Sequence, residues 1–126
     1  MKCVITGHTR GIGRAIYNHF ITKGWDVIGL SKSNGFDITK DQDKIVAETN
    51  GCDIFVNCAY DDTGQIDLLN ALYDKVGNII ILGSVGADWA DVWKGYGLHK
   101  LNLEQRCKEL SLSTEVNVCL LYTSDA

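Results

Sequence analysis

Two residues toward the C-terminal end of the 126-residue chain form an acid–base pattern. Tyr96 and Lys100 stand four apart in a stretch that reads as helix, so both side chains leave one face. A free phenol titrates at about pH 10, too high for proton exchange at neutrality. A neighbouring ammonium favours the phenolate and brings that value down, which makes the hydroxyl a usable acid and base. Alone, the pair would be an exposed lysine and a half-buried tyrosine of an amphipathic helix. A second pattern lies near the N-terminus, in Thr6-Gly7-His8-Thr9-Arg10-Gly11-Ile12-Gly13, between an apolar run and a helical repeat. Gly7 permits a tight turn, Gly11 lets a diphosphate approach the backbone, and Gly13 lets the helix pack closely on the sheet. The unpaired N–H groups and the dipole of that helix place partial positive charge beneath an anion. The chemistry these patterns suggest is proton transfer beside a bound dinucleotide.

The elements that must position these residues alternate short apolar strands with amphipathic helices, which favours a parallel sheet covered on both faces. Strands are expected over 2–6, 25–30, 53–57 and 78–82, with a stub at Phe36-Asp37-Ile38 and a last strand beginning at 115–118. Ile12, Ala15, Ile16 and Phe20 recur at helical spacing, and Gly24 supplies a stop. Thr39 and Gln42 match a capping box for a helix over 40–49. Leu68, Leu72 and Val76 stand on one side of the next helix, with Gly77 at its end, and a long helix is expected over 91–110. The resulting expectation is an α/β, Rossmann-type three-layer α/β/α sandwich with parallel strand order 3-2-1-4-5-6.

Composition narrows the function classes. With 45% hydrophobic and 22% charged residues the chain reads as one ordinary globular domain. A net charge of -4 supplies no broad basic face, which argues against a nucleic-acid partner. The five cysteines, Cys3, Cys52, Cys58, Cys107 and Cys119, form no metal-ligand spacing and read as reduced, packed thiols of a cytoplasmic protein. No apolar run approaches the roughly 18 residues of a membrane span.

The glycine spacing T-G-x-x-x-G-x-G resembles that of the short-chain dehydrogenase/reductase family, and the resemblance continues along the chain. Asn57-Cys58-Ala59-Tyr60 is similar to the family's N-N-A-G, with Asn57 and Ala59 retained. Ser84 follows the fifth expected strand, where the family keeps its substrate-binding serine. Tyr96-Gly97-Leu98-His99-Lys100 matches Y-x-x-x-K at the usual distance from Ser84. Four matches in order cover most of residues 1–118.

The resemblance implies an NAD(P)-dependent oxidoreductase acting on a small carbonyl compound or its alcohol by hydride transfer. Ser84, Tyr96 and Lys100 would be the catalytic residues, with Ser84 holding the substrate oxygen against Tyr96 and Lys100 also binding the nicotinamide ribose. Cofactor contacts would come from Gly7, Thr9, Arg10, Gly11, Ile12, Gly13, Ser31, Lys32, Asp37, Ile38, Asn57 and Ala59, besides Tyr96 and Lys100. Asp37 matches the adenine-contacting aspartate. The second expected strand is followed by Ser31-Lys32-Ser33, with no carboxylate until Asp37, and Arg10 stands where NADP-binding members carry a basic residue. NADP(H) is therefore favoured over NAD(H), with Arg10 and Lys32 clamping the 2′-phosphate. Relatives of this fold pair through their long helices, which makes a homo-oligomer an expectation.

The chain also departs from the family pattern. Residues 31–37 leave no room for the helix that usually joins the second and third strands, and the segment between Asn57 and Ser84 is short. Tyr60 replaces a glycine near the cofactor. No residue matches the fourth catalytic member, an asparagine in the preceding helix, because Asn70 has the wrong spacing. His99 reads as a helix-surface residue, while Trp89 and Trp93 could line the cleft or the core. Residues 119–126 resemble the translated read-through of a transposase adapter, so the domain is expected over 1–118, followed by a scar or the end of the last strand. Two rival functions stand beside this reading: a non-catalytic dinucleotide-binding or sensor module, favoured by the compaction, and a sugar-nucleotide epimerase or dehydratase of the extended family branch, which needs a different glycine spacing and a larger C-terminal domain.

Overall fold

Alternation of side chains along each strand divides the core into two layers on opposite faces of one sheet. A computed structural model describes residues 1–61, 63–82, 96–113 and 117–121. Five parallel strands, β1 (Lys2–Thr6), β2 (Asp26–Leu30), β3 (Ile54–Asn57), β4 (Asn78–Leu82) and β5 (Asn117–Leu121), lie in the order β2-β1-β3-β4-β5. Val4, Leu30, Phe55, Ile79 and Ile81 point to one face, where they meet Ile45 of α2 (Gln42–Glu48), Leu68, Leu69 and Leu72 of α3 (Gly64–Leu72), and Leu103, Cys107 and Leu110 of α4 (Tyr96–Ser113). Cys3, Ile5 and Val56 point to the other face, against Ile16, Tyr17 and Phe20 of α1 (Gly11–Thr22). Burial of a side chain such as Phe55 or Leu69, both fully inaccessible, contributes about 1.5–3 kcal/mol. The architecture is the expected α/β, Rossmann-type sandwich with helices on both faces.

The strand order requires one correction. Residues 36–38 form no strand, so the expected 3-2-1-4-5-6 lacks its outermost member and β2 is the sheet edge. Most polar groups of this segment are bonded locally. Phe36 N donates to Ser31 O, Asp37 N donates to Asp41 Oδ2, and Asp37 Oδ1 accepts from Thr39 N and Thr39 Oγ1. A backbone whose N–H groups at Phe36 and Asp37 are already bonded into turns does not extend into a ladder.

The same aspartate overturns the expected capping box. Thr39 Oγ1 donates to Asp37, Gln42 Nε2 donates to Ile38 O, and α2 begins after Asp41. Helix α3 ends at Leu72 instead of at Gly77, leaving buried Val76 in the turn that leads to β4. The last strand, expected to begin within 115–118, runs from Asn117 to Leu121. Of the long helix, residues 91–95 lie outside the described residues, as do Trp89 and Trp93. Among the described residues no helix is long and apolar enough to cross a membrane.

Candidate functional site

The C-terminal ends of β1, β3 and β4 stand side by side, and the functional residues are built on them. Thr6 pairs in register with Leu30 on one side and Asn57 on the other. Its buried hydroxyl accepts from Cys58 N at 3.2 Å and Ala59 N at 3.3 Å, which ties the exit of β3 to that of β1. Gly7 follows with φ 74°, and a side chain there would meet the backbone and Cβ of Ala59 at 3.0–3.2 Å. Only glycine next to a small residue lets the two loops pass so closely. A Cβ on Gly13 would collide with the Gly7 carbonyl oxygen, so the helix start presses on the turn itself.

Gly11 is different. Its φ is 61° and nothing lies within 4 Å of where a side chain would be, so the backbone at the start of α1 borders open space. The N-terminus of α1 carries no side-chain cap and no acidic residue in its first turn. These free N–H groups at a helix start, beside an open glycine, fit the diphosphate of a dinucleotide.

This opening belongs to a cleft of about 690 Å³ that brings together Gly7, Thr9, Arg10, Gly11, Ile12, Gly13, Ser31, Lys32, Ile38 and Ala59 from the expected set. Among the described residues, Leu30, Ser33, Phe36, Cys58, Tyr60, Asp61 and Leu82 also line it. Asp37 and Asn57 do not line it. Asp37 is held by Thr39, whose hydroxyl and N–H, followed by Lys40 N and the charge of Lys32, keep its carboxyl below the usual carboxylate range. Asn57 is fully buried, donates Nδ2 to Gln65 O, and leaves Oδ1 without a partner among the described residues.

Of the expected catalytic residues, Ser84 lies outside the described residues. Tyr96 is the first residue of α4, and its side chain is likewise outside them. Lys100 is buried, at 3% exposure, one helical turn further on. Its Nζ donates to Gln65 Oε1 at 2.7 Å and to Leu82 O at 2.9 Å, and lies 5.5 Å from the centroid of the Tyr60 ring. Tyr60 and Leu82 therefore connect Lys100 to the wall of the cleft. The Tyr60 hydroxyl is 2.7 Å from His99 Nδ1, so His99 is tied to the cleft and is not a plain surface residue.

Three participants escaped the sequence. Gln65 has no local signal, because its partners are set by tertiary packing. Asp61 forms an ion pair with Lys32, Oδ2 to Nζ at 3.1 Å. That hydrogen bond and the carboxylate charge raise the Lys32 pKa above its ordinary value. Thr6 was readable as the first letter of the glycine motif, but its hydroxyl bonds were not. Asn70, set aside on its spacing, accepts from Arg106 Nε at 2.6 Å. Among the described residues no group of three His, Cys, Asp or Glu side chains is placed to hold a metal.

No family model matches the sequence, and no curated protein does. Solved structures match by shape. The 3-alpha-hydroxysteroid dehydrogenase from Pseudomonas sp. B-0831, complexed with NADH, superposes with a TM-score of 0.81 at 18% identity over 98% of this chain and 79% of its own. The bulky-bulky ketone specific alcohol dehydrogenase from Comamonas testosteroni gives 0.78 at 15% identity, over 98% and 74%. A short-chain dehydrogenase/reductase superfamily protein from Agrobacterium tumefaciens with bound NAD gives 0.75 at 16%, over 97% of this chain and 48% of that one. The chain thus spans between about half and four fifths of these relatives' length. Its fold is that of the short-chain dehydrogenase/reductase proteins.

Proposed function

We propose that the domain built from β1 through β5 is the NAD(P)-binding domain of an oxidoreductase that interconverts a small carbonyl compound and its alcohol, with NADP(H) preferred over NAD(H). The observation that carries this reading is the placement of an open diphosphate cradle at Gly11 and a buried lysine, Lys100, around one cleft. Tyr60 and Leu82 both line that cleft and contact Lys100. When bound, the nicotinamide supplies or accepts the hydride. Gly7, Gly11 and the N-terminus of α1 hold the diphosphate, while Thr9, Ile12, Ile38 and Ala59 shape the cleft around it. Asp37 and Asn57 act from behind the cleft wall by fixing the loops. Lys100 holds its charge beside Tyr96, whose hydroxyl gives a proton to the substrate oxygen in reduction and takes it in oxidation. Ser84 holds that oxygen in place.

The NADP(H) preference rests on Ser31 where an NAD site keeps a carboxylate, and on Arg10 and Lys32 at the cleft rim. Lys32 must exchange Asp61 for the 2′-phosphate. Free thiols at Cys3, Cys52, Cys58 and Cys107 support a reducing, cytoplasmic setting, and pairing through long helices is proposed by analogy of fold. The decisive experiment combines NADPH and NADH titrations with turnover of the Tyr96→Phe variant on a carbonyl panel. We expect binding to persist, NADPH to bind more tightly, and turnover to vanish. Substantial turnover without the phenol removes Tyr96 from the mechanism. NADPH binding with no wild-type turnover would make the chain a dinucleotide-binding module instead.

A further inference from the structure

We infer that Gln65 is a positioning residue for this reaction: it fixes the Lys100 ammonium while leaving its positive charge uncancelled. The inference rests on the proposed role of Tyr96 and Lys100. A buried ammonium needs an acceptor for each N–H, because desolvation without one is costly. Gln65 Oε1 supplies one at 2.7 Å, and Leu82 O supplies a second at 2.9 Å. Gln65 is itself buried, at 2% exposure, and cannot turn. Its Nε2 donates to Asn57 O at 2.9 Å and Leu82 O at 3.0 Å, and its own backbone O accepts from Asn57 Nδ2 at 2.9 Å. Reversing the amide would set its oxygen against two carbonyl oxygens, so the acceptor face is committed to Lys100.

Residue type matters here. One side chain must accept from an ammonium and donate twice to carbonyls, and among residues of this length only glutamine does both. Glutamate would accept, but it would lose both donors and would set a negative charge against the ammonium. An ammonium neutralised in this way favours the phenolate of Tyr96 less. Methionine keeps the length and the neutrality but has no N–H donor and only a weak acceptor. Among the described residues, the titratable groups that face Lys100 are Tyr60 and Cys58 from the loop after β3, while His99 and Glu104 stand beside it along α4. None of them changes in these variants.

The test is the pH profile of alcohol oxidation for wild type, Gln65→Glu and Gln65→Met, with thermal melts of each. Oxidation needs the phenolate, so its rate rises with pH. Gln65→Glu is expected to move that rise upward by about one pH unit or more, with much of the lost rate recovered at high pH. Gln65→Met is expected to lower kcat about tenfold and raise the cofactor KM, without the upward displacement. Both variants lose the same two donors and should melt at similarly lowered temperatures, so a merely structural role would affect them alike. An undisplaced rise in Gln65→Glu, or wild-type kcat in Gln65→Met, overturns the inference while the oxidoreductase reading stands. A wild-type profile with no rise that depends on Tyr96 overturns both.

Discussion

Lys32 Nζ lies 3.1 Å from Asp61 Oδ2, and this pair joins the segments that follow β2 and β3 on either side of β1. Both residues line the cleft, so one of the two cations proposed for the 2′-phosphate already faces a carboxylate. The lysine side chain is 68% exposed and the aspartate 33%, so the pair is well solvated and exchanges readily. Replacing Asp61 by Asn frees Lys32 and removes a charge that repels phosphate. We expect Asp61→Asn to tighten NADPH binding roughly fivefold with little change for NADH, an advantage that fades with added salt. Equal gains for both cofactors would show that Lys32 does not meet the 2′ position.

The two glycines that open α1 should respond differently to alanine. At Gly11 the backbone is left-handed but the space is empty, so Gly11→Ala is expected to cost about 1–2 kcal/mol of stability through backbone strain. Its larger effect should be on dinucleotide affinity, because the new methyl group enters the cradle. At Gly13 the methyl group would strike the Gly7 carbonyl, and crowding of that kind costs about 1–3 kcal/mol before any ligand is considered. Thermal melts with and without NADPH separate the two. Ligand-induced stabilisation that survives in Gly11→Ala would place the diphosphate elsewhere.

What the sequence disclosed was mostly local. Strand β4 could be read residue for residue because Ile79, Ile80 and Ile81 leave no other reading for so short a run. The glycine turn was legible because its letters sit within eight residues of one another. Segment 36–38 misled because an apolar-polar-apolar triplet looks like a strand until Asp37 and Asp41 bond its backbone into turns. Gln65 was invisible because its importance comes from Lys100, 35 positions away, and from carbonyls at the ends of two strands. Asp61 and Lys32 share that fate: charges far apart in sequence show no pairing until the sheet order brings them together.

Tyr60 links the loop after β3 to α4 through His99, while its ring lies under the Lys100 ammonium. Tyr60→Phe keeps the ring and removes the hydroxyl. It is expected to lower stability by about 0.5–1 kcal/mol, since Tyr60 is partly exposed and water replaces some of the bond. Against His99→Ala, a double-mutant cycle should return a coupling of similar size. Additive losses would mean that the 2.7 Å contact does no energetic work in solution.

Alkaline pH should weaken the fold through its thiols. Burial pushes Cys3 from 9.0 up to about 12, with Cys52 and Cys58 adding to it; burial with nearby Glu104 pushes Cys107 to about 12. Burial pushes Cys58 to about 11 against the opposing charge of Lys100. The folded protein thus keeps these thiols protonated where the unfolded chain has begun to release its protons. The unfolded state binds fewer protons across that interval, so stability is intact below about pH 9 and falls as pH rises toward 12. Each thiol contributes a slope of at most about 1.4 kcal/mol per pH unit. Other groups titrate there too, so the informative comparison is Cys107→Ala against wild type. The variant should start less stable, because a buried sulfur is lost, yet decline less steeply between pH 9 and 11. Parallel declines would show that the Cys107 thiol ionises as freely in the folded protein as in the unfolded chain.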